Sequence, residues 1–454
     1  MPQGETNDDK DARRRTGLRA VLHNLGWLIA NRGLVGLLSL VYLAIVARSL
    51  GVADFGRFAL ITGASKALAT MVGFQTWQIV VQYGVTPLQA RDDARLGRLF
   101  RACGLLDLGS ALVGIVIGIA VLFLWGNDFG ITASLMNETL LFLVVQLITI
   151  RSMPLGALRL QDRFAEAAIA DSMTGVVRLA GAALVLLAGA NVEHFLYAWA
   201  AAEAATAGAF WWMFARGGNW SLMWNARARP GDVIAENPGI VRFSLSTSGS
   251  STLGLATKQL PLLLVGGFIG PAAAGIFRLA FQIANALTKL SQLLVRAGFP
   301  EIVRAVRKGS GKLARTIWRL FAGSTLAAGI IMALTVVIGR PVLMLVGGRD
   351  YLAAYPMLLW LTAAGCIELA AVSFEPLLMA GHRATTALAA RCIGAVVLIG
   401  AMVALMPAHG GSGAATGVFI GSVTSVLLLG LATVHFGRSG AMASRGLQSG
   451  QGPS

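Results

Sequence analysis

Apolar and polar positions alternate along this chain in long blocks. Predominantly apolar runs fall at residues 25–47, 54–82, 103–125, 139–156, 168–188, 194–214, 243–266, 272–299, 320–338, 353–379, 385–406 and 414–436. A helix needs about 20 such residues to cross a hydrocarbon core of ~30 Å. The pattern predicts an all-α polytopic membrane protein with 12 transmembrane helices. The first run is too long for a cleaved leader and reads as an uncleaved span.

Composition agrees with this reading. The 454 residues are 56% hydrophobic and only 13% charged, against roughly 25% charged in soluble domains. The net charge of +16 raises the question of nucleic acid. The basic residues, however, form short clusters between apolar runs, which suits an anionic leaflet rather than a nucleic-acid partner. The N-terminal tail and the connections after spans 6 and 8 hold five, four and six lysines and arginines, whereas those after spans 3, 5, 7 and 11 hold none. That asymmetry places both termini in the cytoplasm. Cys103, Cys366 and Cys392 show no pairing or metal-ligand spacing and read as small buried apolar residues.

The chain divides into a disordered cytoplasmic tail (1–20), an N-lobe of spans 1–6 (21–214), a cytoplasmic inter-lobe linker (215–242), a C-lobe of spans 7–12 (243–436) and a second disordered tail (437–454). Each lobe opens with the same turn. GVADFGRF (51–58) and GPAAAGIF (270–277) both fit G-x-A-x-x-G-x-F. Both fall between the first two spans of a six-span half, so the halves form a parallel pseudo-two-fold repeat.

Charges inside the spans narrow the chemistry. Arg32, Lys66, Arg151, Arg178, Lys258, Arg278, Lys289 and Arg296 are embedded cations; Asp107, Asp171, Glu203, Glu368 and Glu375 are embedded acids. A charge at the bilayer centre costs at least about 2.5–3.5 kcal/mol. Arg151 and Arg296, near span ends, are expected to snorkel to the headgroups. In span 8, Arg278, Gln282, Asn285, Lys289, Gln292 and Arg296 repeat at intervals of 4, 3, 4, 3 and 4. They share one helical face. The stripe runs ~27 Å and is expected to face a hydrated interior. Spans 1, 2, 7 and 8 then line one central cationic cavity suited to an anionic ligand. A lipid-linked diphosphate sugar is the natural candidate, its tail remaining in the bilayer.

The opening NLGWLIANRGLVGLLSLVYLAIVARSLGVADFGRFAL, chiefly Asn31 with Ala47-Arg48-x-Leu50-Gly51-x-x-x-Phe55-Gly56, and GGRDYLAAYPMLLWL (347–361) resemble polysaccharide transporters of the multidrug/oligosaccharidyl-lipid/polysaccharide exporter (MOP) superfamily, the Wzx-type O-antigen and exopolysaccharide repeat-unit flippases. The resemblance implies a MATE-like, V-shaped fold of two six-helix lobes working by alternating access. It implies transport of undecaprenyl-diphosphate-linked oligosaccharide across a bacterial inner membrane, with polysaccharide polymerase and glycosyltransferases as associated proteins. Arg32, Lys66, Lys258, Arg278, Gln282, Asn285 and Lys289 are the expected substrate-binding residues; Asp107, Glu203 and Glu368 are candidates for ion coupling. No metal or organic cofactor is expected, and no enzymatic activity. The alternatives are a MATE-like multidrug cation antiporter, disfavoured by the excess of embedded bases, and a lipid II flippase, which typically carries two more C-terminal spans.

Overall fold

The protein is described by a computed structural model in which the backbone is described at residues 7–126, 131, 133–226, 230–296, 313–380 and 383–449, and side chains at 38–126, 131, 133–226, 231–255, 257–288, 321–375, 377–378, 383 and 385–435. The side chains of the expected tails lie outside the described ones, as do those of Arg32, Lys289, Gln292 and Arg296. The fold is all helical, with no strand among the described residues.

The first half contains α1 (Asn7–Val72), α2 (Thr76–Gln89), α3 (Asp93–Trp125), α4 (Met136–Ile148), α5 (Ser152–Leu160), α6 (Phe164–Ala188) and α7 (Val192–Arg216). The expected linker carries two short helices, α8 (Asn219–Asn225) and α9 (Pro230–Glu236). Arg98 on α3 pairs with Glu236 at 2.6 Å, so this segment is tied to the first half. The second half contains α10 (Ile240–Lys258), α11 (Leu260–Phe268), α12 (Pro271–Arg296), α13 (Leu313–Val346), α14 (Tyr355–Ala370), α15 (Phe374–Ala380) and α16 (Ala384–Ser449).

Seven helical stretches among the described residues are long and apolar enough to cross a membrane, fewer than the twelve segments expected. Two of the seven are 52 and 51 residues long. At 1.5 Å per residue, each exceeds twice the hydrocarbon thickness. Both turn at a glycine: Gly51 has φ +72° in α1 and Gly410 has φ +57° in α16. Other expected spans are interrupted. Span 4 breaks between α4 and α5, and span 2 breaks at 73–75 between α1 and α2. Side chains take up the freed backbone groups, as a membrane interior requires. The Trp211 indole N–H donates to the Ile150 carbonyl at 2.7 Å. The Trp77 N–H donates to Ser152 Oγ at 3.1 Å, and the Met153 N–H donates to Asp107 at 3.3 Å. Span 7 bends between α10 and α11, just before Pro261, as proline sterics dictate.

The repeated turn has a definite structural use. Gly51 and Gly270 both take positive φ, +72° and +114°. Phe58 and Phe277 are both buried, at 3% and 1% exposure. Between these positions the two turns meet backbone to backbone. A Cβ on Gly56 would lie 1.8 Å from the Pro271 carbonyl oxygen, and one on Gly275 would lie 2.5 Å from that of Val52. Tyr351, also buried, donates to the Gly51 carbonyl at 3.2 Å. The largest apolar core gathers around this contact. Among the cysteines, Cys103 and Cys366 are buried as expected; Cys392 is exposed, on the outward side of α16.

Candidate functional site

The α6–α7 hairpin builds the polar centre of the first half. Gly189, at φ +103°, turns the chain, and the Asn191 side chain caps α7 by accepting from the His194 N–H at 2.7 Å. Arg178 lies eleven residues before Gly189 and Glu203 fourteen after it, so the antiparallel pair brings them level. One turn away, Thr174 and Thr206 share a hydrogen bond of 2.8 Å.

Glu203, 3% exposed, is held between two arginines: Arg178 by a direct ion pair and Arg151 at 3.1 Å. The Trp199 indole N–H donates to the same carboxylate at 3.1 Å. The Arg178 guanidinium lies 3.7 Å from the centre of the Trp199 ring, a cation–π contact strengthened by desolvation. Tyr42 and Phe58 pack on that ring at 5.9 and 5.4 Å.

Arg178 thereby faces a cavity of ≈ 260 Å³ between the halves. Tyr42 and Thr62 of α1, Asp171 and Thr174 of α6, and Arg278 and Gln282 of α12 share its wall. Lys66 continues the Phe58–Thr62 face of α1; it is solvent-exposed yet within electrostatic reach of Arg178, Arg278, Glu203 and Arg151. Arg178, Arg278 and Asp171 thus line the cavity, and Lys66, Arg151 and Glu203 lie within electrostatic reach of it, four cations to two carboxylates in all. Arg278 makes no hydrogen bond or ion pair among the described residues. Such a surplus in a low-dielectric surround favours an anion.

The expected binding residues are only partly assembled here. Arg278 and Gln282 line the cavity and Lys66 adjoins it. Asn285 is one turn further along α12, its amide donating to the Phe281 carbonyl at 2.9 Å. Lys258 is exposed at the end of α10 and does not line the cavity. Arg32 and Lys289 fall outside the described side chains. Of the coupling candidates, Asp107 is buried beside the two helix breaks, accepting from Thr76 at 2.7 Å and from the Met153 N–H. Glu368 accepts from Ser422 at 3.1 Å. Glu203 is the shared counter-ion of Arg151 and Arg178. No group of three metal-ligating side chains occurs among the described residues.

Arg151 does not snorkel; its partner is the buried Glu203. Arg178, Trp199 and Asp171 were not expected at the site. The hairpin register around Gly189 is the signal that joins Arg178 to Glu203. Arg391, seven residues into α16, pairs with Glu375 at 3.0 Å and approaches Glu368 at 3.9 Å.

Replacing Glu203 by Ala leaves both arginines without their carboxylate. A cost of about 2–3 kcal/mol follows, read as a lower thermal midpoint of the purified protein. An unchanged midpoint contradicts the pairing.

The fold is that of the MATE and MurJ transporters. A MATE family transporter of the MOP superfamily in its inward-facing conformation superposes over 89% of this chain and 95% of its own, with a TM-score of 0.66 and 13% identity. The lipid II flippase MurJ in an inward closed conformation does so over 89% of this chain and 87% of its own, with a TM-score of 0.68 and 13% identity. The family follows from sequence. Residues 21–306 match the model of the polysaccharide biosynthesis protein family, and the chain belongs to that family. It is also 28% identical over 345 residues to the inner membrane protein YghQ of Escherichia coli (strain K12), covering 75% of this chain and 96% of YghQ.

Proposed function

We propose that this protein is a flippase that moves undecaprenyl-diphosphate-linked oligosaccharide repeat units from the cytoplasmic to the periplasmic leaflet of a bacterial inner membrane. One observation carries the reading. Arg178 of the first half and Arg278 of the second face each other across a single interlobe cavity, with Lys66 and Arg151 in electrostatic reach. A diphosphate offers the oxygens that guanidinium forks bind best. Trp199 and Tyr42 give the cavity an aromatic wall beside the cations.

Both termini face the cytoplasm in this scheme. The Gly56–Gly275 contact then closes the cavity on the periplasmic side, and rocking of the halves opens it. The protein acts as a transporter rather than an enzyme. The excess of cations at the cavity sets it apart from a drug antiporter, whose organic cations they would repel. The test is reconstitution. Vesicles holding purified protein should translocate fluorescent undecaprenyl-diphosphate oligosaccharide from leaflet to leaflet, and protein-free vesicles should not. Equal rates in the two preparations overturn the reading.

A further inference from the structure

We propose that Asp171 and Gln282 form a sugar subsite beside the cavity's arginines, one that takes the sugar joined directly to the diphosphate and admits it only when that sugar is uncharged or cationic. This rests on the reading of the cavity given above. The observation behind it is an uncompensated carboxylate in the wall of an anion site. Asp171 lines the cavity. Arg178, on the same helix, pairs with Glu203 instead, and Asp171 makes no hydrogen bond or ion pair among the described residues. A lone carboxylate weakens the hold of nearby cations on a phosphate. A site for the diphosphate alone has no use for it.

The cavity walls are layered. Phe58, seven residues past Gly51, packs on Phe195, six past Gly189, with ring centres 6.3 Å apart. The Gly51 and Gly270 turns meet at Gly56 and Gly275. All three turns therefore lie at one end of the molecule. Along α6, Arg178 is nearer that end and Asp171 is ~10 Å further from it, with Thr174 between them on the same face. Along α12, Arg278 is nearer that end and Gln282 is ~6 Å further. Each wall thus carries a guanidinium in the layer towards the turns, and a carboxylate or an amide in the layer away from them. Tyr42 belongs with the arginines. It packs on Trp199 under Arg178, it is 8% exposed, and its hydroxyl has no partner.

The two layers suit different groups. Guanidiniums and a phenol hydroxyl donate to phosphate oxygens. A carboxylate only accepts, and a glutamine amide does both. Adjacent hydroxyls of a sugar ring can donate to the two Asp171 oxygens while Gln282 bonds a third. The ammonium of an amino sugar would pair with Asp171 too, whereas a uronate would set like charge against it. The cavity, at ≈ 260 Å³, is smaller than the roughly 300–1,000 Å³ of pockets for drug-sized ligands. The diphosphate and one ring fill it, and the remaining sugars lie outside. Selection by charge falls on the first sugar alone.

The experiment measures three lipids on full-length protein in nanodiscs, by competition with radiolabelled undecaprenyl diphosphate. They are the unlabelled diphosphate, its glucosyl derivative and its glucuronosyl derivative. The wild type should bind the glucosyl form about tenfold or more tighter than the bare diphosphate, and the glucuronosyl form no tighter than the bare diphosphate. Asp171→Asn should bind the bare diphosphate at least as tightly as the wild type, because a negative charge has left an anion site. It should also bring the two sugar forms within about threefold of each other. Equal binding of all three lipids by the wild type overturns the subsite and leaves the cavity reading intact. So does an undiminished preference for the glucosyl over the glucuronosyl form in Asp171→Asn. Weaker binding of the bare diphosphate by Asp171→Asn places the carboxylate in support of the arginines and also overturns the subsite. No saturable binding of the bare diphosphate to the wild type overturns both.

Discussion

On the proposed flippase function, polymer export falls about a hundredfold or more when Arg178 and Arg278 are both replaced by glutamine, with protein level and membrane insertion unchanged. A hydrogen bond to a charged group contributes about 1.5–3 kcal/mol, and two lost together correspond to roughly 10²–10⁴ in affinity. Glutamine keeps a donor and much of the volume but no charge. The two residues differ in what else they support. Arg178 also neutralises Glu203, which retains Arg151 when Arg178 is lost. Arg278 has no protein partner among the described residues, so its loss leaves stability intact. Lysine at both positions restores part of the activity, since charge returns without the bidentate fork. Immunoblotting and polymer assay on the same cells check this. Wild-type export in the double glutamine variant contradicts it.

A second large effect belongs to Gly56. Valine there places a Cβ 1.8 Å from the Pro271 carbonyl oxygen, a backbone atom that cannot swing aside. Ordinary contact needs ~3.5 Å, so the two turns must separate. The expected outcome is a protein that still inserts but no longer closes between the halves. Transport falls about a hundredfold, and hydrogen exchange rises around 47–58 and 350–358, where Tyr351 bonds the Gly51 carbonyl. Gly208→Ala, with nothing within 4 Å of its new Cβ, leaves both measurements unchanged. Normal transport and exchange in Gly56→Val would show that closure at the turns is not required.

The glycine turns were legible in sequence because geometry leaves so little choice there. Gly51 and Gly270 need positive φ, and Gly56 and Gly275 need a missing side chain, so a repeated spacing survived in both halves. Arg278 and Gln282 were legible for a similar reason, since a polar stripe on an apolar helix has few tolerable surroundings. Arg178 was not. It is a single cation in α6, and only its level against Glu203 across the hairpin reveals its setting. Helix breaks were also hidden, even where a proline stands beside one. The α4–α5 break lies just before Pro154, which has no N–H for the Ile150 carbonyl, and the groups that hold it, Trp211, Ser152 and Asp107, are scattered over more than a hundred residues. Hydropathy averages over such breaks, which is why 139–156 reads as one span. Lys258 misled for the opposite reason: it shares a span with Ser/Thr-rich turns but ends on an exposed face.

The central claim is that cations from the two halves jointly hold one anionic headgroup. Titration of purified protein in nanodiscs with undecaprenyl diphosphate, read by quenching of tryptophan fluorescence, tests it most directly. Trp199 lies under Arg178 and serves as a reporter at the site. Saturable quenching should occur in the wild type, weaken about tenfold or more in Arg178→Gln and in Arg278→Gln separately, and vanish in the double variant. Equal affinity in the wild type and the double variant would mean that the headgroup binds elsewhere.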